Sequence, residues 1–205
     1  VRPSEIIFTS GATEANNLAI LGLLAKLPNG TLPHIVTSNI EHASVLEVCK
    51  HLEETKKAEV TYVEVETNGI VDPRKIKKAL KQNTILVSVM YANNEIGTIQ
   101  PIPEIAKEIR HFNKINSTNI YFHTDATQAM NYLPIRGPAW GVDLLAFNGA
   151  KIYGPKGMGV LYVKSHTPVA PIMFGGSQEM GLRPGTENVF GGAEIAKALE
   201  VVEKI

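Results

Sequence analysis

Apolar positions in this chain follow two rhythms that take turns. Short runs such as Glu5-Ile-Ile-Phe-Thr9, His34-Ile-Val-Thr-Ser38, Val60-Thr-Tyr-Val63 and Thr84-Ile-Leu-Val-Ser-Val-Met90 read as strands. Each is followed by a stretch with helical spacing: Ala12 to Leu27, where Leu18, Leu21, Leu24 and Ala25 recur on that period, then Ala43 to Glu54, Pro73 to Gln82 and Pro103 to Phe112. Three further strands are predicted at Asn119-Ile-Tyr-Phe-His123, Asp143-Leu-Leu-Ala-Phe147 and Gly159-Val-Leu-Tyr-Val163, and residues 191 to 205 return to helix. Alternation at this spacing predicts an α/β fold with a mostly parallel sheet covered by helices on both faces. The last two strands are joined by a turn too short for a helical crossover, so the final one is expected to be an antiparallel member of a mixed sheet. The segments 67 to 73 and 113 to 119 are rich in turn residues and read as surface loops. In a sheet of this kind functional residues gather at the C-terminal ends of the strands.

Composition narrows the function classes. With 205 residues the chain is long enough for one large domain. Its 20 basic and 20 acidic residues cancel, which gives no footprint for nucleic acid and no electrostatic membrane anchor; no apolar run approaches the roughly 20 residues of a membrane span. A small-molecule partner is expected. The single cysteine, Cys49, excludes an intrachain disulfide framework and suits a reducing, cytoplasmic setting. Val45, Cys49 and Leu52 share a helical face, so Cys49 reads as core packing. Asn29-Gly-Thr31 and Asn116-Ser-Thr118 match the glycosylation acceptor pattern by chance. The chain opens at Val1 and runs almost at once into a strand, so an upstream segment is expected.

Several polar groups sit where chemistry is expected. Ser10-Gly-Ala-Thr-Glu-Ala-Asn-Asn17 spans a strand-to-helix turn, where free amides and the Thr13 hydroxyl make an anion seat; Ser10 or Thr13 serving only as a helix cap is the alternative. Asp125 directly follows an apolar strand, and a carboxylate desolvated there calls for a cation. A protonated pyridine nitrogen is one candidate, since pyridoxal phosphate is an electron sink only while its ring nitrogen stays charged. Gln128 can donate to a phenolate, and Asn94 ends another strand. His42, at a strand-to-helix junction, can stack on a flat ring and shuttle protons. Lys151 ends a buried run, where desolvation favours a neutral amine able to form a Schiff base, whereas Lys156 lies in a Gly-Pro-Lys-Gly turn and stays solvated. Gly154-Pro-Lys-Gly-Met-Gly159 lacks the P-loop spacing, and no Gly-x-Gly-x-x-Gly follows the first strand, which disfavours nucleotide-binding readings. Each group alone has a bland structural explanation; together they are the inventory that one cofactor, pyridoxal 5'-phosphate, needs.

The stretches "TSGATEANNLAI", "EHASVLE", "NNEIGTIQPI", "HTDATQ", "KIYGPKGMGVLYV" and "GGSQEMGLRPGTENV" resemble the cysteine desulfurases among the class V, fold-type-I pyridoxal phosphate enzymes, over nearly the whole chain. The resemblance implies that Lys151 carries the cofactor as a Schiff base, His42 stacks on its ring and Asp125 pairs with the ring nitrogen. It also implies that Gln128 and Asn94 sit at the phenolate edge, with Ala12, Thr13 and Asn148 at the phosphate. Thr186 reaches the phosphate of a second copy, because such enzymes are homodimers with shared sites. By the same resemblance residues 1–205 are the large domain of a longer protein whose small domain supplies a substrate arginine and whose mobile loop supplies the persulfide-forming cysteine. The substrate implied is L-cysteine, converted to L-alanine, and the partner a sulfur acceptor or iron-sulfur scaffold protein. One departure is visible: relatives commonly carry Ser and His where this chain has Asn148 and Ala150. Losing the imidazole predicts a phosphate grip looser by one charge-assisted hydrogen bond, about 1.5–3 kcal/mol. A selenocysteine lyase, another class V lyase or aminotransferase, and a cofactor-binding module without turnover are the competing readings.

Overall fold

The computed structural model describes residues 1–26, 30 and 32–203. Its strands are β1 (Ile6–Thr9), β2 (His34–Ser38), β3 (Glu59–Val63), β4 (Thr84–Ser88), β5 (Tyr121–Asp125), β6 (Leu144–Asn148) and β7 (Gly159–Val163), joined in one sheet of order β1-β7-β6-β5-β4-β2-β3. Strands β2 to β6 run parallel, and β7 is antiparallel to β6, as its short connection predicts. Strand β1 is antiparallel to β7 and so points the same way as the parallel set. The C-terminal ends of β1, β2, β4, β5 and β6 therefore open along one edge.

The helices are α1 (Ala12–Leu24), α2 (Ala43–Glu54), α3 (Pro73–Ala79), α4 (Ile102–Asn116), α5 (Gly137–Trp140) and α6 (Val189–Val202). Local chemistry sets their starts. Asp72 accepts from Arg74 N at 2.8 Å with Pro73 in the first turn of α3, and Asn188 accepts from Gly191 N at 3.0 Å to start α6. Against the pattern-based expectation, α3 stops at Ala79 rather than Gln82. Leu80 turns extended and buries its side chain, and Lys81 N is taken by Thr84 Oγ1 at 2.7 Å, which starts β4 instead. Helix α4 runs on to Asn116 through residues expected to be loop, and ends where Ser117 adopts a left-handed conformation (φ 52°). Strand β5 is shifted toward the C-terminus and takes in Asp125, which pairs with Ala146 of β6. The short α5 is a four-residue turn too brief to leave a helical period in the sequence. The expected helical residue Leu27, the acceptor pattern at Asn29 and the last two residues of the expected C-terminal helix lie outside the described residues.

Two apolar layers clamp the sheet. On one face α1 and α2 set Leu18, Leu23, Val45, Cys49 and Leu52 against Ile35, Leu86, Leu144 and Leu161. On the other, Ile76, Ile102, Ile105, Ile109 and Ile195 from α3, α4 and α6 pack against Val36, Val87, Phe122 and Val160. Each such buried side chain contributes about 1.5–3 kcal/mol of transfer free energy. Cys49 is fully buried in the first layer, as its helical spacing predicts.

Candidate functional site

At the strand-end edge the fold brings Ala12, Thr13, His42, Asn94, Asp125, Gln128, Asn148 and Lys151 around a single cleft, together with Ser44, Met90, Ala92 and Thr127. Thr186, exposed in the segment before α6, is not among the lining residues. Nothing in the sequence marked Ser44 or Thr127, whose roles depend on which neighbours the fold supplies.

Asp125 forms part of the cleft wall and is 4% exposed. Its Oδ2 accepts from Asn16 Nδ2 at 2.7 Å and its Oδ1 from Thr127 N at 2.9 Å. Both donors are neutral, and among the described residues Asp125 has no ion-pair partner. The imidazole of His123 shares its strand face, but burial pushes His123 down to about 4 against the opposing pull of Asp125, so it stays neutral. A buried carboxylate without a cation is costly, and the cleft is where a cation can reach it. Thr127 Oγ1 is likewise buried without a partner.

The amide ends of α1 point at the same cleft. Its N-cap is Gly11, which offers no side-chain cap, so neither Ser10 nor Thr13 serves in that role. Instead Glu14 reaches back, its Oε2 accepting from Ser10 N at 2.8 Å and its Oε1 from Arg183 Nε at 3.0 Å. This leaves the first-turn amides of Ala12 and Thr13, with the Thr13 hydroxyl, facing outward. The seat is tightly built from behind: a Cβ on Gly159 of β7 would lie 2.5 Å from Gly11 C and 2.9 Å from Ala12 N.

Two expectations are corrected. Lys151 does not end the strand; it lies in a 3-10 turn (Gly149–Ile152) beyond β6, and it is exposed rather than desolvated, because that turn lifts the side chain off the sheet edge. Among the described residues it has no ion-pair or hydrogen-bond partner. Asn94 does not end a strand either: it sits exposed in a turn that Asn93 staples, its Oδ1 accepting from Glu95 N at 2.8 Å and Ile96 N at 2.9 Å. Asn148 caps the turn that carries Lys151, its Oδ1 accepting from Ala150 N at 3.1 Å. The backbone donor of Ala150 is thereby occupied, while Asn148 Nδ2 remains to donate into the cleft.

His42 caps α2, its Nδ1 accepting from Ser44 N at 3.1 Å. Beside it Glu41 is buried, its Oε1 accepting from Ser38 Oγ at 2.5 Å and Met90 N at 2.9 Å, with Oε2 unpartnered. Burial pushes the Glu41 carboxyl up to about 8. Cys49, packed in the core, is pushed up to about 12, chiefly by burial and then by Glu41 and Glu53, which keeps it a protonated thiol.

A family model described as aminotransferase class-V matches residues 1–205. The chain belongs to the class-V aminotransferase family. Among curated relatives it is 48% identical over 200 residues to "Cysteine desulfurase IscS" of Dictyoglomus turgidum (strain DSM 6724 / Z-1310), covering 98% of this chain and 49% of the relative. It is 47% identical over 199 residues to "Cysteine desulfurase IscS" of Methanosarcina thermophila, covering 97% and 47%. Among solved structures, "NIFS-LIKE PROTEIN" superposes with a TM-score of 0.93 at 38% identity, covering all of this chain and 54% of that one. "SspA in complex with cysteine" superposes with a TM-score of 0.89 at 39% identity, covering 98% and 56%. The chain thus spans about half the length of the curated relatives it matches.

The cleft of this class-V chain fits pyridoxal phosphate on structural grounds. Among the described residues it offers a buried carboxylate with no cation beside it, a helix start with outward amides, a Thr127 hydroxyl without a partner and a lysine amine without an ion pair, all at one strand-end edge. Those are acceptors and donors matched to a pyridinium, a dianionic phosphate, a phenolate and an aldehyde.

Proposed function

We propose that this chain is the cofactor-bearing domain of a cysteine desulfurase that uses pyridoxal 5'-phosphate to convert L-cysteine to L-alanine and pass the sulfur to an enzyme thiol. The observation that carries the reading is Asp125, a carboxylate 4% exposed with neutral donors only, standing in one cleft with Lys151. The names of the relatives support cysteine as substrate. When bound, the cofactor supplies an electron sink for the bonds at the substrate Cα. Asp125 holds the ring nitrogen protonated, the amides of Ala12 and Thr13 with Asn148 Nδ2 bind the phosphate, and Gln128 and Asn94 serve the phenolate edge and the substrate side. Lys151 Nζ would be the amine that holds the cofactor's aldehyde group and the base that moves the proton at the substrate Cα. His42 covers the ring face.

The chain's only cysteine, Cys49, is buried, so the thiol that receives sulfur comes from outside these residues. A homodimer in which Thr186 completes the phosphate seat of the second copy is part of the reading, as are delivery of sulfur to an acceptor or iron-sulfur scaffold protein and a cytoplasmic setting. Among the described residues no helix is long and apolar enough to cross a membrane.

The test loads the intact protein with pyridoxal phosphate, reduces it with borohydride and maps the labelled peptide, with L-alanine and sulfide measured in parallel on untreated enzyme supplied with excess thiol, which reduces the transferred sulfur to sulfide. Label on Lys151 and equimolar alanine and sulfide are expected. Label on Lys156, or on neither lysine, overturns the site, and release of selenide from selenocysteine without sulfide from cysteine overturns the substrate.

A further inference from the structure

We propose that Asn16 is a positioning residue which, through Ser44, ties the Asp125 carboxylate and the His42 imidazole into one hydrogen-bonded frame and fixes the proton of His42 on Nε2. This deepens the cofactor-site reading above and rests on it for its catalytic meaning; the hydrogen-bond geometry stands without it.

Asn16 lies on α1, fully buried. Both hydrogens of its amide are committed: Nδ2 donates to Asp125 Oδ2 at 2.7 Å and to Ser44 Oγ at 2.8 Å. The amide orientation follows from its partners, because a carboxylate oxygen can only accept. Ser44 Oγ, which accepts from Asn16, lies 2.8 Å from His42 Nδ1. The Ser44 backbone N–H donates to the same Nδ1 at 3.1 Å, which makes that nitrogen an acceptor, so the Ser44 hydroxyl, holding Asn16 on one lone pair, turns its proton toward it. Two donors on one ring nitrogen leave it no room for a proton of its own, so the neutral imidazole carries its hydrogen on Nε2.

The chain of bonds runs from α1 to β5 on one side and from α1 to α2 on the other, so three separately tethered elements are held in register beneath the cleft. Its consequence for the reaction is a division of labour. An imidazole whose Nδ1 is closed and whose Nε2 is already protonated orients and donates a hydrogen bond, and does not serve as a base. The proton at the substrate Cα is left to Lys151. Hydrogen-bond partners of this kind fix the tautomer of functional histidines generally.

The experiment records long-range proton-nitrogen NMR correlations of the intact protein labelled with 15N-histidine and freed of cofactor, with the His42 signals assigned by their loss in His42→Gln. In the wild type His42 is expected to show a pyridine-type Nδ1 and a pyrrole-type Nε2. Asn16→Ala and Ser44→Ala are each expected to move the His42 signals toward tautomer averaging while the other histidines keep theirs, and Ser44→Thr, which keeps the hydroxyl, to restore them. A proton on Nδ1 in the wild type overturns the proposal. So do wild-type His42 signals in both alanine variants, or in whichever of the two folds. Because no cofactor is present, failure here is separate from failure of the cofactor reading, which borohydride mapping decides.

Discussion

Asp125 and Glu41 are two buried acids on one sheet edge, and their surroundings give them opposite tasks. Asp125 has donors on both oxygens and faces the cleft, so replacing it with Asn keeps the size and removes the charge that holds a ring nitrogen protonated. Asp125→Asn is expected to retain cofactor but to lose about 100-fold or more of kcat, the range of a preorganised electrostatic contact; a spectral titration for binding and alanine formation for turnover check it. Glu41 has its carboxyl raised from 4.5 to about 8 by burial. The folded state therefore binds a proton that the unfolded state gives up, and this contribution is fully present below about 4.5 and lost as pH rises through about 8. Glu41→Gln removes that dependence, so the Tm of the variant relative to the wild type is expected to climb across this window. A constant offset would contradict it. Neither Glu41 in its strand-helix junction nor Asn16 within α1 is legible in the sequence, because a polar residue looks solvent-facing until the partners that bury it are known. That Lys151, His42 and Asp125 lie near one edge of the sheet follows from where the hydrophobic runs stop, and the fold does gather them around one cleft; the exposure of Lys151 is not visible in that pattern, because a single 3-10 turn decides it.

The elements that alternation predicts are those that fold, and the errors lie where local hydrogen bonds override the pattern, as at Leu80, Asn113 to Asn116 and Asp125. The seat for the phosphate depends on one such local relation that no periodicity carries. Gly159 at the start of β7 lies against Gly11 and Ala12 so closely that a methyl group would meet backbone at 2.5 Å. Backbone cannot swing aside as a side chain can, so Gly159→Ala is expected to push the first turn of α1 out of place, at a cost of about 1–3 kcal/mol in stability. Phosphate affinity should fall with it. Chemical denaturation and pyridoxal phosphate titration of the same variant measure the two effects; unchanged affinity would show that the amides of α1 do not form the seat.

For the molecule as a whole, the exposed Phe174, Val189 and Phe190 flank the segment that carries Thr186, an apolar surface that a second copy can cover. If Thr186 completes the partner's phosphate seat, dilution below the dimer dissociation constant should release cofactor, and Thr186→Val should weaken its binding by about tenfold, the loss of roughly one charge-assisted hydrogen bond. Sedimentation combined with cofactor absorbance measures both, and a monomer that retains cofactor tightly would sink the shared seat. The sheet order carries a further consequence, for synthesis. Strand β1 is synthesised well before β7 but has β7 as its neighbour in the sheet, so it waits for that strand before it can pair. The turn between β1 and α1 is braced only when Gly159 arrives, and Lys151 is made shortly before it. Long-range pairing of this kind folds late and leaves an early edge exposed. Nascent chains halted before β7 should therefore be unable to capture pyridoxal phosphate, and the cofactor is expected to join only a chain in which β1 and β7 are already paired.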